Sequence, residues 1–150
     1  MNATTPNPLS RLITSSVIYM ILALIAAGIA IAENLPAEFG GSSTGLPVLQ
    51  GFLYGYGTAM SPPLYTLLVQ AVFTLLVRRR SRWGTIGIVG LAISGLFTAF
   101  GALSEPINLR IFNPATFDFL KAIVQGGMII VPAVMTVFAI LEWSRRRRNT

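Results

Sequence analysis

Four apolar runs account for most of this chain, each lying between an arginine cluster and an acidic loop. A helix needs about 20 apolar residues to cross a hydrocarbon core of roughly 30 Å. The runs 12–32 and 83–104 meet that length and carry no charge. The run 119–141 meets it with one charge, Lys121, near an end. The run 59–77 is slightly shorter and uncharged, and it follows an aromatic, uncharged approach over 51–58. The chain therefore reads as one integral-membrane domain, residues 1–150, of the all-α class: an antiparallel bundle of four transmembrane helices. Charged residues make up 11% of the sequence, against about 25% in soluble domains.

Charge placement fixes the orientation of such a bundle. With four spans, Arg11, Arg78, Arg79, Arg80, Arg82, Arg145, Arg146, Arg147 and Arg148 share one side. Glu33, Glu38, Glu105 and Asp118 face Arg110 and Lys121 on the other. The excess of basic residues in short loops marks the cytoplasmic side, so both termini belong there. Trp83 and Trp143 sit beside the arginines and Tyr54, Tyr56, Phe112 and Phe117 at the far edge, as interfacial aromatics do.

Arg78, Arg79, Arg80, Arg82 and Arg145 to Arg148 thus set topology and attract anionic lipid headgroups. They flank helices in short runs, which argues against nucleic-acid binding. The preponderance of arginine over lysine points to a GC-rich bacterial genome and a bacterial cell membrane. The first run also invites a signal-peptide reading, with Ala30-Ile31-Ala32 as an A-x-A site before Glu33. Its apolar length exceeds the roughly 7–15 residues of a signal core and favours a retained helix.

Cysteine and histidine are both absent. Disulfides, thiolate chemistry and histidine-based acid–base catalysis are thereby excluded, as are zinc–thiolate sites and histidine-held haem. No metal site or cofactor is expected. A serine–lysine pair would have to use Lys121 with Ser61 or Ser104, and nothing in the sequence brings these together. Gly55-Tyr56-Gly57 matches only the end of the potassium-filter motif TVGYG. A short repeat pairs Gly57-x4-Pro62-x3-Thr66 with Gly127-x4-Pro132-x3-Thr136. Coincidence is the simpler account, because Gly and Pro are frequent in membrane helices.

Polar positions within the spans fall into stripes at about 100° per residue. Gly87, Ser94, Thr98, Gly101 and Glu105 line up on the third span, and Asp118, Gln125, Pro132 and Thr136 on the fourth. Thr66, Gln70 and Thr74 do so on the second. The first is almost wholly apolar beyond Ser16, which predicts the most lipid-exposed helix. Small residues at Gly87, Gly90 and Gly101, with a kink at Pro132, suit close helix packing. Gly84, at the arginine edge, is expected to matter less.

Packing alone is the plainer reading of the stripes. The sharper one makes Thr66, Gln70, Ser94, Thr98, Glu105, Asp118, Gln125 and Thr136 the lining of a polar path. The expected role is a non-enzymatic accessory or assembly subunit, partnered by itself or by other membrane proteins. The alternative is a small-solute or ion transporter with its path between spans two, three and four.

Overall fold

The computed structural model describes residues 7–39, 42–115 and 117–148. Its helices, in chain order, are α1 (Pro8–Ala32), α2 (Val48–Tyr54), α3 (Leu64–Leu76), α4 (Arg82–Ser104), α5 (Ile107–Ile111) and α6 (Phe119–Arg148). One small hairpin, β1 (Glu38–Phe39) with β2 (Ser42–Ser43), pairs antiparallel. Helices α1, α4 and α6 are long and apolar enough to cross a membrane. Helix α6 packs against both α1 and α4, and α3 packs mainly on α4.

Local chemistry sets the ends of α1. The Asn7 side chain accepts the Leu9 N–H at 3.2 Å, with Pro8 in the first turn. At the other end Asn34 turns left-handed (φ 53°). That lets the Leu35 N–H reach back to the Ala30 carbonyl at 2.8 Å, which closes the helix in a Schellman turn.

Two apolar clusters fill the molecule. One, toward the acidic loops, gathers Tyr19, Ala23, Ala27, Phe52, Leu67 and Met128. The other, toward the arginines, gathers Leu12, Val77, Ile88, Leu91, Met135 and Ala139. The first helix is therefore not the most lipid-exposed. Ala23, Ala26, Ala27 and Ala30 are buried and let α1 approach its neighbours closely. Apolarity alone does not distinguish a lipid-facing side from a packed one.

The 59–77 run is only partly helical. Helix α3 has 13 residues, about 20 Å at 1.5 Å per residue, too short to cross a bilayer by itself. Residues 55–63 are irregular yet mostly buried. The cause is Pro62-Pro63: neither proline can donate a helical hydrogen bond, and each pushes its predecessor away from helical geometry. The segment satisfies its backbone in other ways. Thr58 Oγ1 accepts the N–H groups of Met60 (3.3 Å) and Ser61 (3.0 Å). The Ala59 N–H reaches the Leu35 carbonyl at 3.3 Å. Gly57 (φ 98°) lies in this segment while Gly127 lies within α6, so the two copies of the short repeat fold differently.

Glycines mark where backbones meet. A Cβ at Gly87 would lie 2.6 Å from the Val77 nitrogen, and one at Gly90 would lie 2.6 Å from the Phe73 ring. Both positions sit at the α3–α4 crossing. Gly95 approaches Pro132 and Thr136 of α6 in the same way. Gly84 is as constrained as these, contrary to the expectation from its edge position, because a Cβ there would run into the Arg79 carbonyl and the Arg146 guanidinium. Gly101 is the opposite case: nothing lies within 4 Å of its Cβ position. It is open space rather than a packing contact.

Candidate solute cavity at the acidic end

A cavity of about 270 Å³ lies between α3, α4, α6 and the irregular 55–63 segment. Thr66, Thr98, Glu105 and Gln125 all line it, brought together from three helices. Thr58 and Ser61 line it as well, from the irregular segment. The sequence reading puts Ser61 in a continuous helix over 59–77 and Thr58 in the approach before it, and assigns neither to the path. Pro62-Pro63 was the available signal for a break. Irregular backbone at membrane depth is tolerated where protein buries it or where it lines a cavity, and both hold for this segment.

Gln125 sits at the heart of the site. It is 1% exposed. Its Nε2 donates to the Ala102 carbonyl at 3.4 Å, which requires the amide nitrogen to face that way. Its Oε1 has no partner among the described residues. An unpaired buried carbonyl of this kind costs about 1–3 kcal/mol. The Tyr19 hydroxyl lies against Thr98 without a bond of good geometry. The rim is formed by Tyr56, Phe97, Gly101 and Glu105, all exposed or half-buried.

Glu105 also lines a second cavity of about 180 Å³ with Asn34, Glu38 and Arg110. It therefore stands between the two spaces. Burial first, and the Glu38 charge second, push its carboxyl up to about 7. Arg110 reaches Glu38 at 3.6 Å.

The remaining stripe residues lie elsewhere. Gln70 (2% exposed) donates to Ser16 Oγ at 3.1 Å and to Met135 Sδ at 3.6 Å. Ser16 and Thr74 share a 2.7 Å hydrogen bond. These three groups satisfy one another and tie α1 to α3. Thr136 Oγ1 donates to the Pro132 carbonyl (3.0 Å) beside the Ala92 carbonyl (3.3 Å), which joins α6 to α4. Ser94 accepts the Thr98 hydroxyl on its carbonyl at 2.7 Å.

Asp118 caps the first turn of α6. Its Oδ1 accepts the Lys121 N–H at 3.1 Å, and this bond holds its carboxyl below the usual carboxylate range. Lys121 also bridges Asp118 (3.2 Å) and Glu33 (2.6 Å), joining α6 to the end of α1. The Glu33 contact was not visible in sequence, since it crosses the fold.

At the opposite end Arg78, Arg79, Arg80, Arg82, Arg147 and Arg148 are exposed. Arg145 and Arg146 instead hold Glu142, which is 0% exposed. No residue lining the acidic-end cavity lines the grooves near the arginines. Compared with known proteins, the chain matches no protein-family model, no curated protein and no solved structure.

Proposed function

We propose that this is a non-enzymatic, multi-pass protein of a bacterial cell membrane that binds a small polar solute at its acidic end. In this reading the membrane is crossed four times, by α1, by the broken α2–α3 unit, by α4 and by α6. Both termini are cytoplasmic, and the cavity is reached from the other side. The carrying observation is a cavity that gathers Thr66, Thr98, Glu105 and Gln125 from three helices, with the buried Gln125 Oε1 left without a partner among the described residues. Natural interiors pair most such atoms with protein or ordered water, so a polar partner suits this one.

The accessory role expected from sequence fits here as the setting for the cavity. Large apolar side chains such as Phe97, Phe100 and Leu103 are exposed on α4, and they suit lipid, a second copy or a neighbouring membrane protein. Because the arginine half is filled by Leu91, Met135 and Val77, one chain acts as a binder, and any onward passage belongs to an assembly.

The chain lacks cysteine, so an introduced thiol reports cleanly. Thr98→Cys and Thr66→Cys should react with a membrane-impermeant, cationic methanethiosulfonate from the non-cytoplasmic side. Thr136→Cys and Thr74→Cys, at packed positions, should resist. Equal resistance at all four sites would overturn the cavity reading.

A further inference from the structure

Three of the cavity's hydroxyls donate their protons to backbone carbonyls. Thr66 Oγ1 donates to the Pro63 carbonyl at 2.7 Å, Thr98 Oγ1 to the Ser94 carbonyl at 2.7 Å, and Ser61 Oγ to the Pro62 carbonyl at 3.2 Å. A hydroxyl has a single proton, so these three groups can offer a ligand only lone pairs. Gln125 turns its NH₂ to Ala102, and its buried Oε1 has no partner among the described residues. Glu105, when ionised, only accepts. Among the described residues no lysine or arginine lines this cavity. These acceptors and one carboxylate, with no basic side chain beside them among the described residues, are complementary to a donor that carries positive charge.

Size and apolar lining narrow the class. A volume of about 270 Å³ is roughly nine waters at about 30 Å³ each and falls below the roughly 300–1,000 Å³ of drug-sized sites. Phe97 and Tyr56 present aromatic rings, and Met60, Met128 and Ala102 add apolar wall. Aromatic faces attract organic cations, and the apolar wall suits a carbon chain better than a hydrated metal ion.

We infer that the cavity takes a small organic ammonium ion, its N–H groups on Gln125 Oε1 and the hydroxyl lone pairs, and its charge balanced by Glu105. This rests on the solute-site reading above and names the ligand class.

The charged groups facing Glu105 are Glu38 of β1 and Arg110 of α5, paired with each other at 3.6 Å, while Tyr56 is the titratable group on the cavity side. Burial, with the Glu38 charge, raises the Glu105 carboxyl to about 7. The carboxylate is thus mostly neutral at pH 6 and mostly ionised at pH 8. An alkylammonium stays charged throughout that window, with a pKa like the roughly 10.4 of lysine. Affinity should therefore rise about tenfold from pH 6 to pH 8, following the ionised fraction of Glu105, and then level off.

The test uses the full chain in lipid nanodiscs, with the slowing of Thr66→Cys modification as the readout. Propylammonium, propanol, propionate and potassium ion are titrated separately at pH 8. Propylammonium should protect at concentrations at least tenfold lower than the other three. Glu105→Gln should weaken that protection and abolish its pH dependence. Gly101→Leu, which adds bulk where a Cβ meets nothing within 4 Å, should remove it without unfolding the bundle. Equal protection by propanol, or by potassium, would overturn the ammonium assignment and leave a neutral-solute or inorganic-cation site. Reactive Thr66→Cys that none of the probes protects would overturn the assignment while leaving the cavity. Unreactive Thr66→Cys and Thr98→Cys in folded protein would remove both.

Discussion

Glu142 shows how one residue organises the arginine end. Its carboxylate is fully buried and accepts Arg145 Nε and Nη2 at 2.9 Å each and Arg146 Nε at 2.8 Å. Arg146 then donates Nη1 to the Arg79 carbonyl at 3.0 Å and Nη2 to the Val77 carbonyl at 2.8 Å. Val77 is the C-cap of α3, so this guanidinium satisfies carbonyls that the helix leaves without partners. Glu142→Ala would release Arg146 from its orientation and remove charge-assisted hydrogen bonds to two partly exposed arginines, a loss of about 1–3 kcal/mol. Arg148→Ala, on an exposed side chain, should stay within about 0.5 kcal/mol. Unfolding in detergent, followed by circular dichroism, would show the contrast. A Glu142→Ala protein as stable as Arg148→Ala would remove the clamp from the account.

Among the elements, the broken α2–α3 unit decides the shape of the site. Gly57 holds φ 98°, and a Cβ there would sit 2.5 Å from the Ser61 carbonyl oxygen. Its N–H reaches the Gly51 carbonyl at 2.9 Å. Gly57→Ala should cost at least about 1–2 kcal/mol, since left-handed backbone is disfavoured for residues with a Cβ. It should also disturb the cavity wall at Thr58 and Ser61. Gly28→Ala, which meets nothing within 4 Å inside α1, should be neutral or mildly stabilising by helix propensity. The same unfolding measurement separates the two, and equal stabilities would show that the turn tolerates a side chain.

Much of the element layout was legible in the sequence. Apolar length marked α1, α4 and α6, and helical spacing put Thr98, Gly101 and Glu105 on one line of α4. The break in the second run was harder to see. Hydropathy continues smoothly through Pro62-Pro63, and only backbone chemistry stops the helix there. Which stripe residues converge was not legible, because Gln70 and Thr136 obey the same periodicity as Gln125 and Thr66. Only the packing separates groups that satisfy each other, such as Ser16, Gln70 and Thr74, from an amide left open. Lys121 posed a similar problem: Asp118 is its neighbour in sequence, but Glu33 comes from another part of the fold.

For the whole molecule, charge and cavity lie at opposite ends. Exposed arginines mark one end, and Glu105, Glu38 and the cavity mark the other. In the proposed topology, which follows the positive-inside bias, the arginines lie in the cytoplasm. A reporter fused to the carboxyl end should therefore be active only as a cytoplasmic fusion, and one inserted beside Ser43 only as an exported one. The reverse pattern would invert the molecule and bring the cavity to the cytoplasmic face.

The central claim is that a solute-sized space exists at the acidic end and can be reached from water. Its most direct measurement is the modification rate of Thr98→Cys by a cationic, membrane-impermeant thiol reagent, with and without Gly101→Leu. Thr98 and Gly101 line the same cavity, and a Cβ at 101 meets nothing within 4 Å. Thr98→Cys alone should be modified readily, and at least tenfold more slowly once Gly101→Leu fills the space, with the fold unchanged. A rate unaffected by Gly101→Leu, or no modification at all in folded protein, would contradict it.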